Sequence, residues 1–242
     1  MSTSFASTLL AARRSGKTIT DFAGAPESLA EAVRTQRAVM EGLGETVCGW
    51  KVNPHPEVGG VSAPIFAGAC KEAPTSWPFA ERLVVEVEIA VRLKRDLPPG
   101  QYSREEIIAA IEDMSLGVEM CISRLPAGHT ASPWTNLSDS LANEGYVISK
   151  ASMPLAAVDY ASLPCIVTLD GETLYSAPAK HPVGDHILPV MAYANAQSDL
   201  VGGLRAGHFI TTGSLCGMVP VPRKGTLHVS LGYFGEMTLP IV

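Results

Sequence analysis

Alternation of apolar and polar residues marks one strand in this chain more clearly than any other. In LVVEVEIAVRL, residues 83–93, every second residue from Val85 is apolar, which is the period of a strand with one face in a core. The opposite face carries Glu86 and Glu88, followed by Ala90. Two carboxylates held about 6.6 Å apart at the backbone repel each other unless water screens them or a cation lies between them. The pattern therefore predicts a strand and raises the question of what compensates its acidic face.

Helical patterns come first along the chain. Residues 5–14 and 27–44 are predicted helices, and the second opens with a capping box in which Ser28 is followed three residues later by Glu31. Another capping box opens a predicted helix over SREEIIAAIEDM, residues 103–114, which leads into the strand-like run SLGVEMCISR.

Most segments after residue 45 have the pattern of short strands separated by turn residues. A hairpin is predicted at Gly171, and one more helix is entered near Asp185. Helices at one end of a chain with many later strands indicate an α+β fold with a strongly bent sheet or barrel. We predict a single domain over residues 1–242, with a helical N-terminal segment over residues 1–45 and a mixed, β-rich core over residues 46–242.

Composition excludes several classes of function. The formal net charge is −6, and the chain has no basic run, which argues against binding to nucleic acid or to anionic membranes. The N-terminus does not have the pattern of a secretory signal, and no stretch approaches the roughly 18 apolar residues of a membrane span. Five widely spaced cysteines without a Cys-x-x-Cys pair favour reduced thiols, so we expect a cytoplasmic protein.

A third acidic residue suggests that the Glu86 and Glu88 strand holds a metal ion. Glu119 lies in the apolar run GVEMCISR, on the next predicted strand after the intervening helix. Three carboxylates without a zinc-type cysteine or histidine motif favour a hard cation, Mg²⁺ or Mn²⁺. The alternative for Glu86 and Glu88 is the solvated outer face of an edge strand.

Three weaker signals accompany the acidic residues. Lys51 lies between Trp50 and Val52 in a predicted half-buried strand, where apolar surroundings lower a lysine pKa and suit it to proton transfer, unless its side chain points outward. Ser214 lies in a Thr-Gly-Ser turn that either presents donors to an anion or is a plain hairpin. The segment LSDSLANEG is consistent with a simple capped helical turn.

Taken together, these segments resemble the 2-keto-4-pentenoate hydratases of the fumarylacetoacetate hydrolase superfamily. The motifs GWKV, Glu-x-Glu, GVEMCISR, SDSLANEGYVIS and LRAGHFITTGSLCGMVPV stand in the family's order over about residues 49–221. The resemblance implies a β-roll or barrel like the superfamily's C-terminal domain, and Mg²⁺ or Mn²⁺ bound by Glu86, Glu88 and Glu119. It also implies the following roles: Lys51 as the acid/base residue, and Ser214, Asp139, Asn143 and Arg124 in the substrate pocket.

The resemblance implies a metal-dependent lyase that hydrates a 2-hydroxy-2,4-dienoate, a small 2-oxoacid, in the catabolism of aromatic compounds. Apolar segments such as EMTLPIV, residues 236–242, indicate buried association edges, so we also expect a homo-oligomer. Glutamate at position 119, in a Glu-x-x-x-Ser-Arg setting, is similar to the hydratase and decarboxylase branch. A 2-oxo-diacid decarboxylase and an acylpyruvate C–C hydrolase stay open, the latter because NPHPEVGG offers His55 and Glu57 on a loop. An inactive partner subunit also stays open, because the segment at residues 67–70 lacks an acid that hydratases usually have there.

Overall fold

Five α-helices, five short 3-10 helices and twelve strands make up the regular structure in a computed structural model that describes residues 4–197 and 199–242. The helices are α1 (Phe5–Ser15), α2 (Leu29–Leu43), α3 (Arg104–Ala110), α4 (Pro133–Ser138) and α5 (Ile187–Ala194). The strands are β1 (Val47–His55), β2 (Gly59–Phe66), β3 (Cys70–Glu72), β4 (Val84–Leu93), β5 (Ile111–Cys121), β6 (Asn143–Met153), β7 (Pro164–Leu169), β8 (Glu172–Pro178), β9 (Phe209–Thr211), β10 (Val219–Pro220), β11 (Gly225–Leu231) and β12 (Glu236–Ile241). Residues 1–3 of the predicted helical segment and Ser198 of the last predicted helix lie outside the described residues.

The strands form two sheets. The larger sheet has the order β2-β1-β9-β4-β5-β6-β3, with β10 paired to β4, and it contains both parallel and antiparallel pairs. This sheet curls into a half-barrel, so that β2 contacts β6 across its concave face. The smaller, antiparallel sheet has the order β12-β11-β7-β8, and the predicted hairpin at Gly171 joins β7 to β8. The predicted α+β fold with a strongly bent mixed sheet is confirmed.

The main core lies between the two sheets. The apolar face of β4, including Val85, Val87 and Ile89, is fully buried in one cluster with Val167 of β7 and Val229 of β11. Its alternation therefore places the polar face of β4 on the concave side of the half-barrel.

Helices α2 and α4 cover part of that concave side. Val61 of β2 packs there with Ala32 of α2 and Leu137 of α4. The buried amide of Gln36 on α2 donates hydrogen bonds to the Leu137 carbonyl at 2.7 Å and to the Ser62 carbonyl at 3.1 Å. These two bonds tie helix α2, helix α4 and strand β2 into one cover.

Both predicted capping boxes lie at helix starts. Ser28 accepts a hydrogen bond from the Glu31 amide at the start of α2, and Ser103 and Glu106 form the full reciprocal box at the start of α3. The predicted extent of α3 is wrong, because the helix stops at Ala110 and the next four residues already belong to β5. Pairing with β4 along this segment outweighs its local helix propensity.

The apolar C-terminal segment is paired within the chain. The Trp77 amide donates to the Pro240 carbonyl and the Val242 amide donates to the Trp77 carbonyl, both at 2.9 Å. This isolated bridge pairs only the C-terminal end of β12, and the predicted homo-oligomer stays a prediction. None of the described helices combines the length and apolar character that crossing a membrane requires.

Candidate metal centre and active site

The strand register brings the three predicted acids onto one buried surface. Strand β4 lies inside the larger sheet, between β9 and β5, and Glu86 pairs directly with Glu119 across β4 and β5. The exposed fractions of Glu86, Glu88 and Glu119 are 9%, 0% and 0%. The alternative of a solvated edge strand is therefore wrong, and the polar face of β4 lines the concave interior.

Lys51 faces the same surface from β1, which β9 separates from β4 in the sheet. It pairs with Thr211 of β9, and Thr211 pairs in turn with Ala90 of β4. The Lys51 Nζ atom lies 2.8 Å from Glu86 Oε2 and 3.1 Å from each carboxylate oxygen of Glu119. Since only 12% of its side chain is exposed, the alternative of an outward-pointing lysine is also wrong.

Glu88 lies deeper in the half-barrel and has weaker partners. Its Oε2 atom accepts a hydrogen bond of 3.5 Å from the Tyr146 hydroxyl, while Oε1 is buried without a hydrogen-bond partner. A glycine at position 117 makes room for this tyrosine, because a Cβ atom there would collide with the Tyr146 ring and hydroxyl. The sequence did not identify Tyr146, because nothing in the alternating pattern of its strand indicates a contact with an acidic residue.

Burial and mutual repulsion shift the pKa values of the acidic groups in this cluster. Burial and the charges of Glu119 and Glu86 raise the pKa of Glu88 well above its ordinary value. Burial also raises the pKa of Glu119, against the opposing effect of the Lys51 charge. Burial alone lowers the pKa of Lys51, but the surrounding acidic groups outweigh it and hold this pKa well above its ordinary value. The lowered lysine pKa expected from the apolar sequence is therefore wrong, because that expectation left out the acids.

The residues present fit a divalent cation. When all three carboxylates are ionised, they and the one ammonium carry a formal charge of −2 in a buried space, which a divalent ion would compensate; without such an ion, burial and mutual repulsion raise the pKa of Glu88 and of Glu119. Donor atoms of Glu86, Glu119 and Cys121 lie within 4.8 Å of one another. Glu88 is not part of this closest group, and its predicted ligand role stays a prediction. Sequence reasoning also missed Cys121, although its position two residues after Glu119 placed it on the same strand face.

A left-handed segment of backbone presents Asn143 to the cluster. The Asn143 side-chain amide donates a hydrogen bond of 3.0 Å to Glu119 Oε1. The three residues before it, Ser140, Leu141 and Ala142, have φ values of 55°, 52° and 67°. Non-glycine residues in this region cost about 1–3 kcal/mol each and persist only where the surroundings impose them. The alternative of a simple capped helical turn therefore does not hold for this part of the segment.

A buried ion pair supplies that constraint. Arg124 and Asp139 are 2% and 1% exposed, and the Arg124 Nε atom lies 2.5 Å from Asp139 Oδ1. The Arg124 Nη2 group donates to the Asp139 carbonyl at 2.8 Å and to the Asn143 carbonyl at 3.0 Å, so it holds both ends of the left-handed segment. The predicted substrate contacts of Arg124 and Asp139 stay predictions, whereas their mutual contacts position Asn143.

Arg13 of α1 adds a second guanidinium to this support. Its Nη2 group donates to the Asn143 carbonyl at 3.1 Å, and its Nη1 group lies 3.8 Å from Glu144. Burial and the neighbouring Arg124 charge lower the pKa of Arg13 to about 10. The sequence could not identify this arginine, which lies 130 residues away from its partner in an ordinary helix.

Ser214 lies apart from these contacts. It follows β9 in a turn that runs alongside β4, where the Leu215 amide donates to the Val87 carbonyl at 2.8 Å. The Ser214 hydroxyl donates to the Gly217 carbonyl at 2.8 Å within the same turn. Its predicted substrate contact stays a prediction.

Comparison with curated proteins supports the resemblance over almost the whole chain. A 2-keto-4-pentenoate hydratase from Burkholderia vietnamiensis is 24% identical over 251 aligned positions, which cover 97% of this chain and 95% of that protein. A protein named 2-keto-4-pentenoate hydratase 3 from Pseudomonas putida is also 24% identical, over 79% of this chain and 74% of its own length. A scan against models of known protein families finds no match.

Solved structures share the fold. The 4-oxalocrotonate decarboxylase from Pseudomonas putida G7, complexed with magnesium and adipate, superposes with a TM-score of 0.79 at 19% identity, covering 98% of this chain and 95% of that one. A fumarylpyruvate hydrolase from Pseudomonas aeruginosa, in complex with Mn²⁺ and pyruvate, gives a TM-score of 0.54 at 13% identity, covering 81% and 90%. The predicted resemblance is confirmed: this chain is an enzyme similar in sequence to curated 2-keto-4-pentenoate hydratases, and it has the fold seen in the fumarylacetoacetate hydrolase superfamily.

Proposed function

We propose that this enzyme adds water to a 2-hydroxy-2,4-dienoate and forms a 4-hydroxy-2-oxoacid, with Mg²⁺ or Mn²⁺ held by Glu86, Glu88 and Glu119. One observation carries the proposal. Three buried carboxylates from two neighbouring strands converge with the Lys51 ammonium on the concave face of the half-barrel. The similarity to curated hydratases over 97% of the chain supports the same reaction.

The residues of this concave face have different roles in the proposed reaction. A divalent cation bound by the carboxylates supplies Lewis-acid stabilisation of the negative charge that develops on the substrate's 2-oxygen. Lys51 delivers the proton to the substrate carbon as an ammonium, which is the charge state in which the surrounding acids hold it on the same concave face. Asn143 fixes the orientation of Glu119. Helices α2 and α4 exclude bulk water from part of the concave face.

Decarboxylation of a 2-oxo-diacid is the second candidate. The fold matches the Pseudomonas putida decarboxylase over 98% of this chain, and loss of carbon dioxide develops charge on the same 2-oxygen as hydration does. Both reactions therefore need the same carboxylates and the same lysine. They differ in the substrate, because only a diacid has a second, distal carboxylate that can leave as carbon dioxide.

The C–C hydrolase alternative has less support. The His55 ring stacks on Trp134 with centroids 5.0 Å apart, and its Nδ1 atom accepts a hydrogen bond of 3.3 Å from the Glu57 backbone amide. The histidine thus contacts the backbone of Glu57, where a His–Glu catalytic pair needs the carboxylate. A His55→Asn variant should retain hydration, whereas it should lose C–C hydrolysis if that is the activity.

A Glu86→Gln substitution tests the proposed function. The variant should lose Mn²⁺ binding in equilibrium dialysis and lose turnover of 2-hydroxy-2,4-pentadienoate, followed by the decrease in dienoate absorbance with Mg²⁺. Glu112→Gln is the matched control, because Glu112 is an exposed acid on β5 and should change neither property. Normal metal content and normal turnover in Glu86→Gln would refute the proposal.

A substrate panel separates the remaining alternatives. Dienoates, 2-oxo-diacids and acylpyruvates should be assayed with Mg²⁺ and with a chelator, and hydration of the dienoate alone is the expected result. Release of carbon dioxide from a diacid would favour the decarboxylase. Turnover that appears only after a partner protein is added would identify an inactive subunit.

A further inference from the structure

A largely buried arginine of the N-terminal helix contacts the segment that carries Asn143. The side chain of Arg13 on α1 is 9% exposed, and its guanidinium carbon lies 5.5 Å from the centroid of the Phe66 ring. Its Nη2 group donates a hydrogen bond of 3.1 Å to the Asn143 carbonyl. The motifs that carry the family resemblance begin at about residue 49, so this contact joins the site to a part of the chain outside them.

The packing of α1 does not account for this contact. The helix is held by an apolar cluster, which contains Phe5, Leu9, Ala12, Val39 and Leu125. The next residue, Arg14, shows the less costly use of an arginine on this helix, because it donates to the Gly42 carbonyl at the exposed surface. Arg13 instead buries its charge beside the Arg124 guanidinium, and both burial and that like charge oppose it. A contact that costs free energy, and that the helix does not need for packing, indicates a role in the site.

The two arginines together fix the direction of one peptide group. A carbonyl oxygen has two lone pairs, and the Asn143 carbonyl accepts from Arg124 at 3.0 Å and from Arg13 at 3.1 Å. The side chain of the same residue donates a hydrogen bond of 3.0 Å to Glu119 Oε1. Since a hydrogen bond weakens steeply as its angle departs from linearity, the orientation of the Asn143 backbone decides how well its amide holds the Glu119 carboxylate.

We propose that Arg13 is a positioning residue of the metal centre: it acts through Asn143 to hold the Glu119 carboxylate in its metal-binding orientation, which makes helix α1 part of the active site. The inference rests on the metal site proposed above and goes beyond it by adding a residue that acts on a metal ligand through another side chain. Residues that orient the ligands of a metal ion contribute to its affinity although they do not bind it.

A double-mutant cycle on Mn²⁺ affinity tests this assignment without an activity assay. Equilibrium dialysis measures the Mn²⁺ dissociation constant of the wild type, Arg13→Met, Asn143→Ala and the double variant. Asn143→Ala should weaken binding about 10–100-fold, as loss of an outer-shell partner does. Arg13→Met should weaken it about 2–12-fold, the factor of one ordinary hydrogen bond, and should add nothing once Asn143 is replaced. The control Arg14→Met, which changes an exposed arginine of the same helix, should bind Mn²⁺ like the wild type.

The outcomes separate the two proposals. A wild type that does not bind Mn²⁺ overturns both, whereas one that binds Mn²⁺ without hydrating the dienoate overturns the proposed function alone. Unchanged Mn²⁺ affinity in Arg13→Met, or an effect of the same size with and without the Asn143 side chain, overturns the role of Arg13, even if the variant unfolds at a lower temperature. Arg13→Lys, which keeps the charge and loses the planar fork of donors, replaces the methionine variant in the same cycle if the latter does not fold.

Discussion

Lys51→Met should make the stability of this protein depend on a divalent cation. Methionine keeps much of the lysine side-chain volume and removes the ammonium that lies 2.8 Å from Glu86 and 3.1 Å from Glu119. At an effective dielectric constant of about 20, these two contacts contribute about 6 and about 5 kcal/mol of Coulomb attraction. Desolvation of the charges offsets part of that attraction. Removing one partner of a buried pair typically costs about 3–5 kcal/mol, which is the loss expected in a chelator.

Added Mg²⁺ or Mn²⁺ should recover part of this loss, because the cation replaces the missing positive charge between the carboxylates. Urea denaturation followed by circular dichroism, with chelator and with saturating cation, measures both quantities. Lys150→Met is the control, since Lys150 is 65% exposed and its pair with Glu72 is 3.5 Å long. An exposed pair of this kind contributes less than about 1 kcal/mol. A Lys51→Met protein that is as stable as the wild type in chelator, or equally destabilised with and without cation, would refute the reasoning.

Three further substitutions have defined outcomes. Arg124→Met should lower the free energy of unfolding by about 3–5 kcal/mol in urea, because it leaves Asp139 buried and unpaired; a raised KM at unchanged stability would instead support substrate contact. Gly117→Ala should lower the free energy of unfolding by about 1–3 kcal/mol, because the added Cβ collides with a buried tyrosine. The control Gly100→Ala, where a Cβ has only ordinary contacts, should leave it unchanged, and equal effects of the two substitutions would contradict the packing argument. Burial and the neighbouring histidine charge lower the pKa of His181 from its ordinary 6.5 to about 4. Between pH 6.5 and pH 4 the unfolded chain therefore binds one proton more than the folded chain does, and the free energy of unfolding should fall as the pH falls through this range. His181→Phe should flatten this decline in a series of urea titrations, and an unchanged slope would count against it.

Local sequence patterns were sufficient to predict the strands that carry the acidic residues and the helix that covers them. The two-residue period of residues 83–93 predicted β4 and separated its core-facing residues from Glu86 and Glu88. The same period placed Glu119 on an apolar strand. Glycine and capping residues fixed both ends of α2. These features depend on neighbours within a few residues, which is why the sequence alone determines them.

Pairing between distant strands decided the rest of the fold and of the site. The helix predicted through residue 114 ends at Ala110, because residues 111–114 pair with β4 as part of β5. Lys51 reaches the acids through β9, a strand about 160 residues further along the chain. Its pKa is raised because acids from two other strands surround it, although its own neighbours in sequence are apolar.

The sequence by itself determined which residues have the chemistry, namely three acids on apolar strands, a lysine and a Ser-Asp-Ser-Leu-Ala-Asn segment. The tertiary structure decided which of them meet. It set Glu86 opposite Glu119, added Cys121 and Tyr146, and placed the Arg124 side chain on the left-handed segment rather than in the closest donor group. The physical reason is that charge and hydrogen-bond energies depend on distances of a few ångströms, and those distances arise only when the sheet curls and closes over its concave face.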